Sequence, residues 1–403
     1  MSNKKFVYIP SFSAGVYGNQ IKKDFKFRNG KEVRLYNSNI HPALYNPWFL
    51  APAGHLYKNF EYRTQIGADE TVKLFGDSGG FQIASGAIKW DESLKEKIFK
   101  WLESQCDYSV NLDIPPRLNY ANKFDECLEI SKTNFKYFND NQSGKTKFLN
   151  VMQGDTIEKY GKWCNEVKHF DFNGWCLGGV GVCLTNLMSA IAVFIDDVGL
   201  FDSKNEIVHS LGTSKIIDFA ILSQLQHSFN KVGSNIQVTT DSSSPNNASR
   251  FGTYYTYGDL KDGAFKQIHV PKTKLGGDFN MIPGVKGLPI TVPGDDWLSD
   301  CYEWEDIDQY TNEFNCVMVL HGYGVFMDAK RQIDDLISGH PYIMEQCLNK
   351  DIVKIVNIVD EMVTESLNGT KASTIYAKNR HLIENISHRQ QQKSVSVSNN
   401  NFF

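Results

Sequence analysis

The chain has 403 residues, of which 41% are apolar and 22% charged, and its formal net charge is −4. A chain of this size can bury a large core, either as one big α/β barrel or as two ordinary domains. The mild acidity excludes a uniformly basic nucleic-acid coat but leaves room for a local positive groove, because steering depends on where charge sits as well as on its sum. The N-terminus, MSNKKFVYIPSFSAG, lacks the unbroken apolar stretch of a signal peptide. No run approaches the roughly 18 to 20 apolar residues that span a bilayer, so no membrane partner is expected. Eight cysteines are scattered without a CxxC pair, which points to thiols in a reducing compartment, the cytoplasm, or the host cytoplasm for a viral protein.

Short apolar runs alternate with helical stretches along most of the chain. The expected strands are 48–51, 72–75, 108–112, 147–152, 174–177, 206–211, 235–239 and 265–270, a number that suits a closed parallel barrel. Between them, 91–103 places Leu94, Ile98 and Trp101 at helical spacing, and 156–167 opens on a capping threonine, Thr156. The stretch 271–293 is so rich in glycine and proline that it reads as a long irregular excursion, of the kind that covers or builds a barrel's active site. Near the C-terminus Ile352, Ile355, Val356, Val359 and Val363 form one core-facing helical stripe. The expected organisation is one barrel domain over 1–389, with an insertion around 271–320 and a loose polar tail over 390–403.

The sharpest local signal is Gly76-Asp77-Ser78-Gly79-Gly80-Phe81-Gln82, directly after the strand 72–75. Residues just past a barrel strand line the catalytic mouth, and paired glycines let backbone amides approach a ligand closely. Read alone, the string also fits a tight strand-to-helix turn. A second acid, Asp113, follows the strand 108–112, and a third, Asp241, follows 235–239 in VTTDSSSPNNASR. Carboxylates far apart in sequence but ending different strands of one barrel converge on one rim. Gln153 follows the strand 147–152 and offers a heterocycle edge both a donor and an acceptor. Gly178, Gly179 and Val180 follow 174–177 with unobstructed backbone groups.

This ordered series resembles the tRNA-guanine transglycosylase (queuine tRNA-ribosyltransferase) superfamily, and in particular its DNA-acting branch in phages and bacteria, which inserts 7-deazaguanines into DNA. The likeness runs over roughly 48–337, through DSGGFQ from Asp77, LD at Asp113, QG at Gln153, GWCLGG from Gly174, LG at Leu211 and the run from Asp241 to Arg250. It implies a (β/α)8 TIM barrel with insertions and additional C-terminal helices. It implies that Asp241 attacks the sugar C1′ as nucleophile and that Asp77 handles protons as general acid and base. Asp113 and Gln153 would read the guanine edge, with Gly178, Gly179 and Val180 lending backbone contacts. Ser78, Gly79, Gly80 and Gln82 would complete the base pocket, Phe81 would stack on the base, His209 would stand on the pocket wall, and Arg250 would meet the polynucleotide.

Three departures from that pattern shape the expectation. The tRNA enzymes hold a structural zinc with a CxCxxC run and a later histidine; here the run is absent, so no cofactor is expected, and Cys301, Cys316 and His321 are the weak remaining candidates for a metal. Pro245 is followed by Asn246 and Asn247, where the tRNA enzymes place Thr-Arg, so a cation is lost and polynucleotide recognition differs. The family glutamate that accepts an aminomethyl cation is replaced near Cys183 and Leu184, which favours an uncharged incoming base such as preQ0. Together with an Asn/Lys-rich character common in viral proteins and the lack of an appended RNA-binding domain, these favour DNA as the substrate, with tRNA as the alternative. Two further readings stay open: a two-carboxylate sugar hydrolase and an inactive nucleic-acid-binding subunit. The sequence leaves oligomeric state open, with a dimer among the possibilities.

Overall fold

The computed structural model of the chain describes residues 3–11, 45–68, 70–250, 253–269 and 312–400. Eight parallel strands form one sheet in the order β1-β8-β7-β6-β5-β4-β3-β2. They are Val7–Pro10 (β1), Trp48–Pro52 (β2), Lys73–Asp77 (β3), Tyr108–Val110 (β4), Lys147–Met152 (β5), Gly174–Leu177 (β6), Ile207–Ser210 (β7) and Gln237–Ser242 (β8). The sheet curls until β1 and β2 meet through one parallel bridge, Ser11 to Leu50, giving a nearly closed barrel. Helices between the strands cover the outer face of the barrel and inward side chains fill its interior, so most strand residues are buried. Two helix starts follow from their caps: Asp91 accepts the Leu94 N–H at 2.9 Å, and Thr156 accepts that of Lys159 at 3.3 Å.

Seven of the eight expected segments become β2 to β8. The eighth does not enter the barrel. Residues 265–270 fall on Ala264–His269 (β10), which pairs antiparallel with Thr253–Asp259 (β9) in a separate hairpin. The apolar residues of that hairpin serve a different core: Phe265 stacks on Phe326 at 4.1 Å and meets the edge of Phe219 at 5.9 Å. This cluster joins the hairpin to the helices Asn312–Ser338 and Ile216–Val232. The missing barrel strand is β1, whose four residues end in Pro10 and pair with β8.

The helix Lys350–Ser366 buries Ile352, Ile355, Val356, Val359 and Val363, as their spacing predicts. The last helix, Ala372–Asn400, is docked at its start by Asp196, whose two oxygens accept the N–H groups of Ala372 and Ser373 at 2.7 and 3.0 Å. A carboxylate there complements the positive end of the helix dipole. The helix then continues past residue 390, where polar composition predicts a loose tail. No glycine or proline interrupts 390–400, and extending an anchored helix fixes one residue per added hydrogen bond. The irregular excursion expected at 271–293 lies outside the described residues.

Cys106, Cys127, Cys164, Cys176, Cys183 and Cys347 are free thiols. Among the described residues no helix is long and apolar enough to cross a membrane. Ile355 is fully buried, so Ile355→Ala is expected to cost about 2 to 5 kcal/mol in urea unfolding. A loss below about 1 kcal/mol would place that helix outside the folded core.

Candidate active site

Parallel strands closed into a barrel point their C-terminal ends at one rim. Asp77 ends β3, Asp241 is the penultimate residue of β8, and Asp113 lies just beyond β4. The three meet electrostatically. The charge of Asp241 raises the pKa of Asp77, and that of Asp77 raises Asp113. Cys176, on β6 between them, is buried, which pushes its thiol well above the ordinary range, and all three carboxylates push it further.

Burial is the largest cause of the Asp77 shift, which is upward; the Gly79 N–H, donating to Oδ1 at 3.1 Å, and a hydrogen bond from Gln82 pull it partly back. Burial pushes Asp113 up to about 7, against a hydrogen bond from Gln153 and the more distant pull of the Arg117 guanidinium. Gln153 Nε2 donates to Asp113 Oδ2 at 2.7 Å, while Gln153 Oε1 is buried with no hydrogen-bond partner among the described residues. Asp241 Oδ1 accepts the Gly212 N–H at 2.8 Å and lies 3.3 Å from His209 Nε2.

The glycines permit these approaches. A Cβ on Gly80 would stand 2.2 Å from the Asp113 carbonyl oxygen, and one on Gly178 would stand 2.2 Å from Gln153 Nε2. Gly79 has φ +92°, a left-handed conformation that disfavours any side chain. The Gly178 carbonyl accepts the Tyr160 hydroxyl at 2.9 Å, and the Gly179 carbonyl accepts Asn186 Nδ2 at 3.1 Å. Val180 is buried beside them. Buried Ser78 ties β3 to the segment after β4 by donating to the Asn111 carbonyl at 2.9 Å. Phe81 is 55% exposed, an aromatic face open to a ligand.

Other expected residues stand elsewhere. His321 is buried in the helix Asn312–Ser338; burial lowers its pKa to about 4, opposed by a hydrogen bond with the Tyr255 backbone. That makes it part of the packing between helix and hairpin. Cys301 lies outside the described residues, as do the side chains of Cys316 and Arg250. Among the described residues no group of three or more His, Cys, Asp or Glu side chains is placed to hold a metal ion.

The motif reading passed over Arg117, Cys176 and Thr239. Thr239 had a legible signal, since it stands two residues before Asp241 on β8 and therefore shares its face. A cavity of 480 Å³ opens at the opposite, N-terminal end of the barrel, near Trp48, Tyr108, Phe201 and Glu206. It contains none of the three aspartates, so it is not where their chemistry would act. No known family model and no curated protein matches the chain.

The raised pKa of Asp113 is also a statement about stability. A carboxyl whose folded pKa lies above its unfolded value stabilises the fold fully only below the unfolded value, and that contribution is lost as pH rises through about 7. Asp113→Asn is therefore expected to melt higher than wild type at about pH 8 and to lose that advantage at about pH 5, at no more than about 1.4 kcal/mol per pH unit. Parallel melting curves across this range would contradict the assignment.

Proposed function

We propose that the chain exchanges a purine base attached to a nucleic acid, with DNA as the polynucleotide and an uncharged 7-deazaguanine such as preQ0 as the entering base. The observation that carries this reading is the gathering of Asp77, Asp113 and Asp241 around one barrel mouth, with Gln153 bonded to Asp113. The resemblance of the motif series to the guanine transglycosylases supplies the substrate class.

Asp241 attacks C1′ and forms a C1′–O bond as the C1′–N9 bond breaks. The electron pair of the broken bond leaves with guanine, which takes a proton from Asp77. The raised pKa of Asp77 suits that donation, because it keeps more of the acid protonated toward neutral pH. The entering base then gives a proton to the Asp77 carboxylate and attacks C1′ through N9, and the electron pair of the C1′–O bond returns to Asp241. Two inversions give net retention, and a covalent intermediate splits one difficult exchange into two displacements.

Guanine presents an N1–H and an exocyclic amine along one edge. Ionised Asp113 and the unpartnered Gln153 Oε1 are the acceptors those donors need. An adenine would leave both acceptors without suitable partners. The target nucleotide has to be unpaired or flipped out to bring C1′ to Asp241. Loss of a cation at Asn246 and Asn247, relative to the tRNA enzymes, favours a different polynucleotide.

Incubation with radiolabelled guanine and either duplex DNA or unmodified tRNA tests the reading. Label is expected in DNA, and Asp241→Asn is expected to lower incorporation on the order of a thousandfold or more. Label in tRNA alone would overturn the choice of DNA, and release of free base without incorporation would point to a hydrolase. Equilibrium binding of guanine is expected to tighten by roughly tenfold as pH rises from about 6 to about 8, because the acceptor is the ionised form of Asp113. Binding that is flat over this range would remove Asp113 from the base edge.

A further inference from the structure

The contacts of Asp241 are uneven. Among the described residues the two nearby donors both face Oδ1: the Gly212 N–H at 2.8 Å and His209 Nε2 at 3.3 Å. We infer that His209 is a positioning residue of Asp241, held by Thr239, and that Oδ2 is the oxygen that attacks C1′. The inference rests on the base-exchange reading and goes beyond it by assigning the two oxygens and a second row of residues behind the nucleophile.

Several observations place His209 behind the carboxylate and away from the ligand. It is fully buried, and its ring stacks on Phe75 with centroids 4.2 Å apart. Its Nδ1 lies 2.8 Å from the Thr239 hydroxyl. The strands fix this geometry: His209 is in register with Thr239 across the β7–β8 pair, and Asp241 follows two residues later on the same face of β8. Stacking, register and the threonine contact leave the ring little freedom to turn.

The Thr239 hydroxyl can donate to Nδ1 or accept from it, so the carboxylate beside Nε2 selects the tautomer. When the Thr239 hydroxyl donates to Nδ1, the imidazole proton stands on Nε2 and faces Asp241 Oδ1. His209 Nε2 has no aligned hydrogen-bond partner among the described residues, although the carboxylate is 3.3 Å away. A buried donor left unpaired is costly, and a small turn of the carboxylate closes the bond. Such bonds are often long before the substrate arrives and tighten in the reacting complex.

The consequence falls on the second half of the exchange. In the covalent intermediate Oδ2 is the ester oxygen bonded to C1′, and Oδ1 is the carbonyl oxygen. When the C1′–Oδ2 bond breaks, its electron pair returns to the carboxylate, and the new charge spreads onto Oδ1, where the Gly212 and His209 N–H groups meet it. Donors aimed at developing charge lower the barrier of the step that develops it. The same donors make Asp241 a weaker nucleophile in the first half, so their loss shifts the balance between the halves.

The test uses wild type, Asp241→Ala, His209→Phe and Thr239→Val, with substrate polynucleotide, labelled guanine and denaturing electrophoresis of the covalent adduct. His209→Phe keeps a ring on Phe75 but removes both nitrogens, and Thr239→Val keeps the branched shape but removes the hydroxyl. Both variants are expected to raise the steady-state adduct fraction, with kcat falling about tenfold for His209→Phe and less for Thr239→Val. KM for guanine is expected to stay within about twofold, which a general loosening of the site would not give. If His209→Phe fails to fold, Thr239→Val decides. An unchanged adduct fraction and kcat in a folded variant would overturn the inference while leaving base exchange standing. Undiminished exchange by Asp241→Ala would instead overturn the base-exchange reading itself.

Discussion

A carboxylate taken out of water loses its hydration, and the effective cost is several kcal/mol unless donors replace it. This chain does so repeatedly at one rim. Burial raises both Asp77 and Asp113, and each is raised further by the charge of a neighbouring aspartate. The short contacts nearby answer that cost: Gly79 and Gln82 on Asp77, Gln153 on Asp113, and Gly212 on Asp241. The small residues follow in turn, because a Cβ at Gly80 or Gly178 would occupy the space these contacts require. Such crowding destabilises an empty fold, and the large aromatic and aliphatic core around the helices offsets it.

Much of this arrangement is legible in the sequence. Parallel strands buried on both faces are short apolar runs, and a run ended by Asp or Gly marks a rim residue whatever the details of packing. That is why Asp77, Asp113, Gln153, Gly178 and Asp241 could each be placed at a strand end from sequence alone. The stripe from Ile352 to Val363 was equally clear, since five branched residues at helical spacing admit few other arrangements.

What failed to show did so for physical reasons. Local pattern identifies a strand but not its partner, so Phe265 and its neighbours read as a barrel strand, whereas the strand that completes the barrel is Val7–Pro10. Cys176 meets its carboxylates through closeness in space, since Asp77, Asp113 and Asp241 all lie far from it in the chain. His209 was visible as a residue of the site, but its stacking on Phe75 and its place behind Asp241 depend on strand register.

The ring of strands is unevenly fastened. Among the described residues seven of its joints are ladders of paired residues, whereas β1 and β2 are joined by the bridge of Ser11 with Leu50 and by Asn46, just before β2, whose Nδ2 donates to the Tyr8 carbonyl at 2.7 Å. On either side of that joint stand two of the rim acids: Ile9 of β1 pairs with Asp241, and Pro52 of β2 pairs with Asp77. The staves that carry Asp77 and Asp241 are thus separated, on their shorter arc, by the joint between β1 and β2. The span between these two acids is therefore fixed partly by how the hoop is fastened at its closure and not by either strand alone.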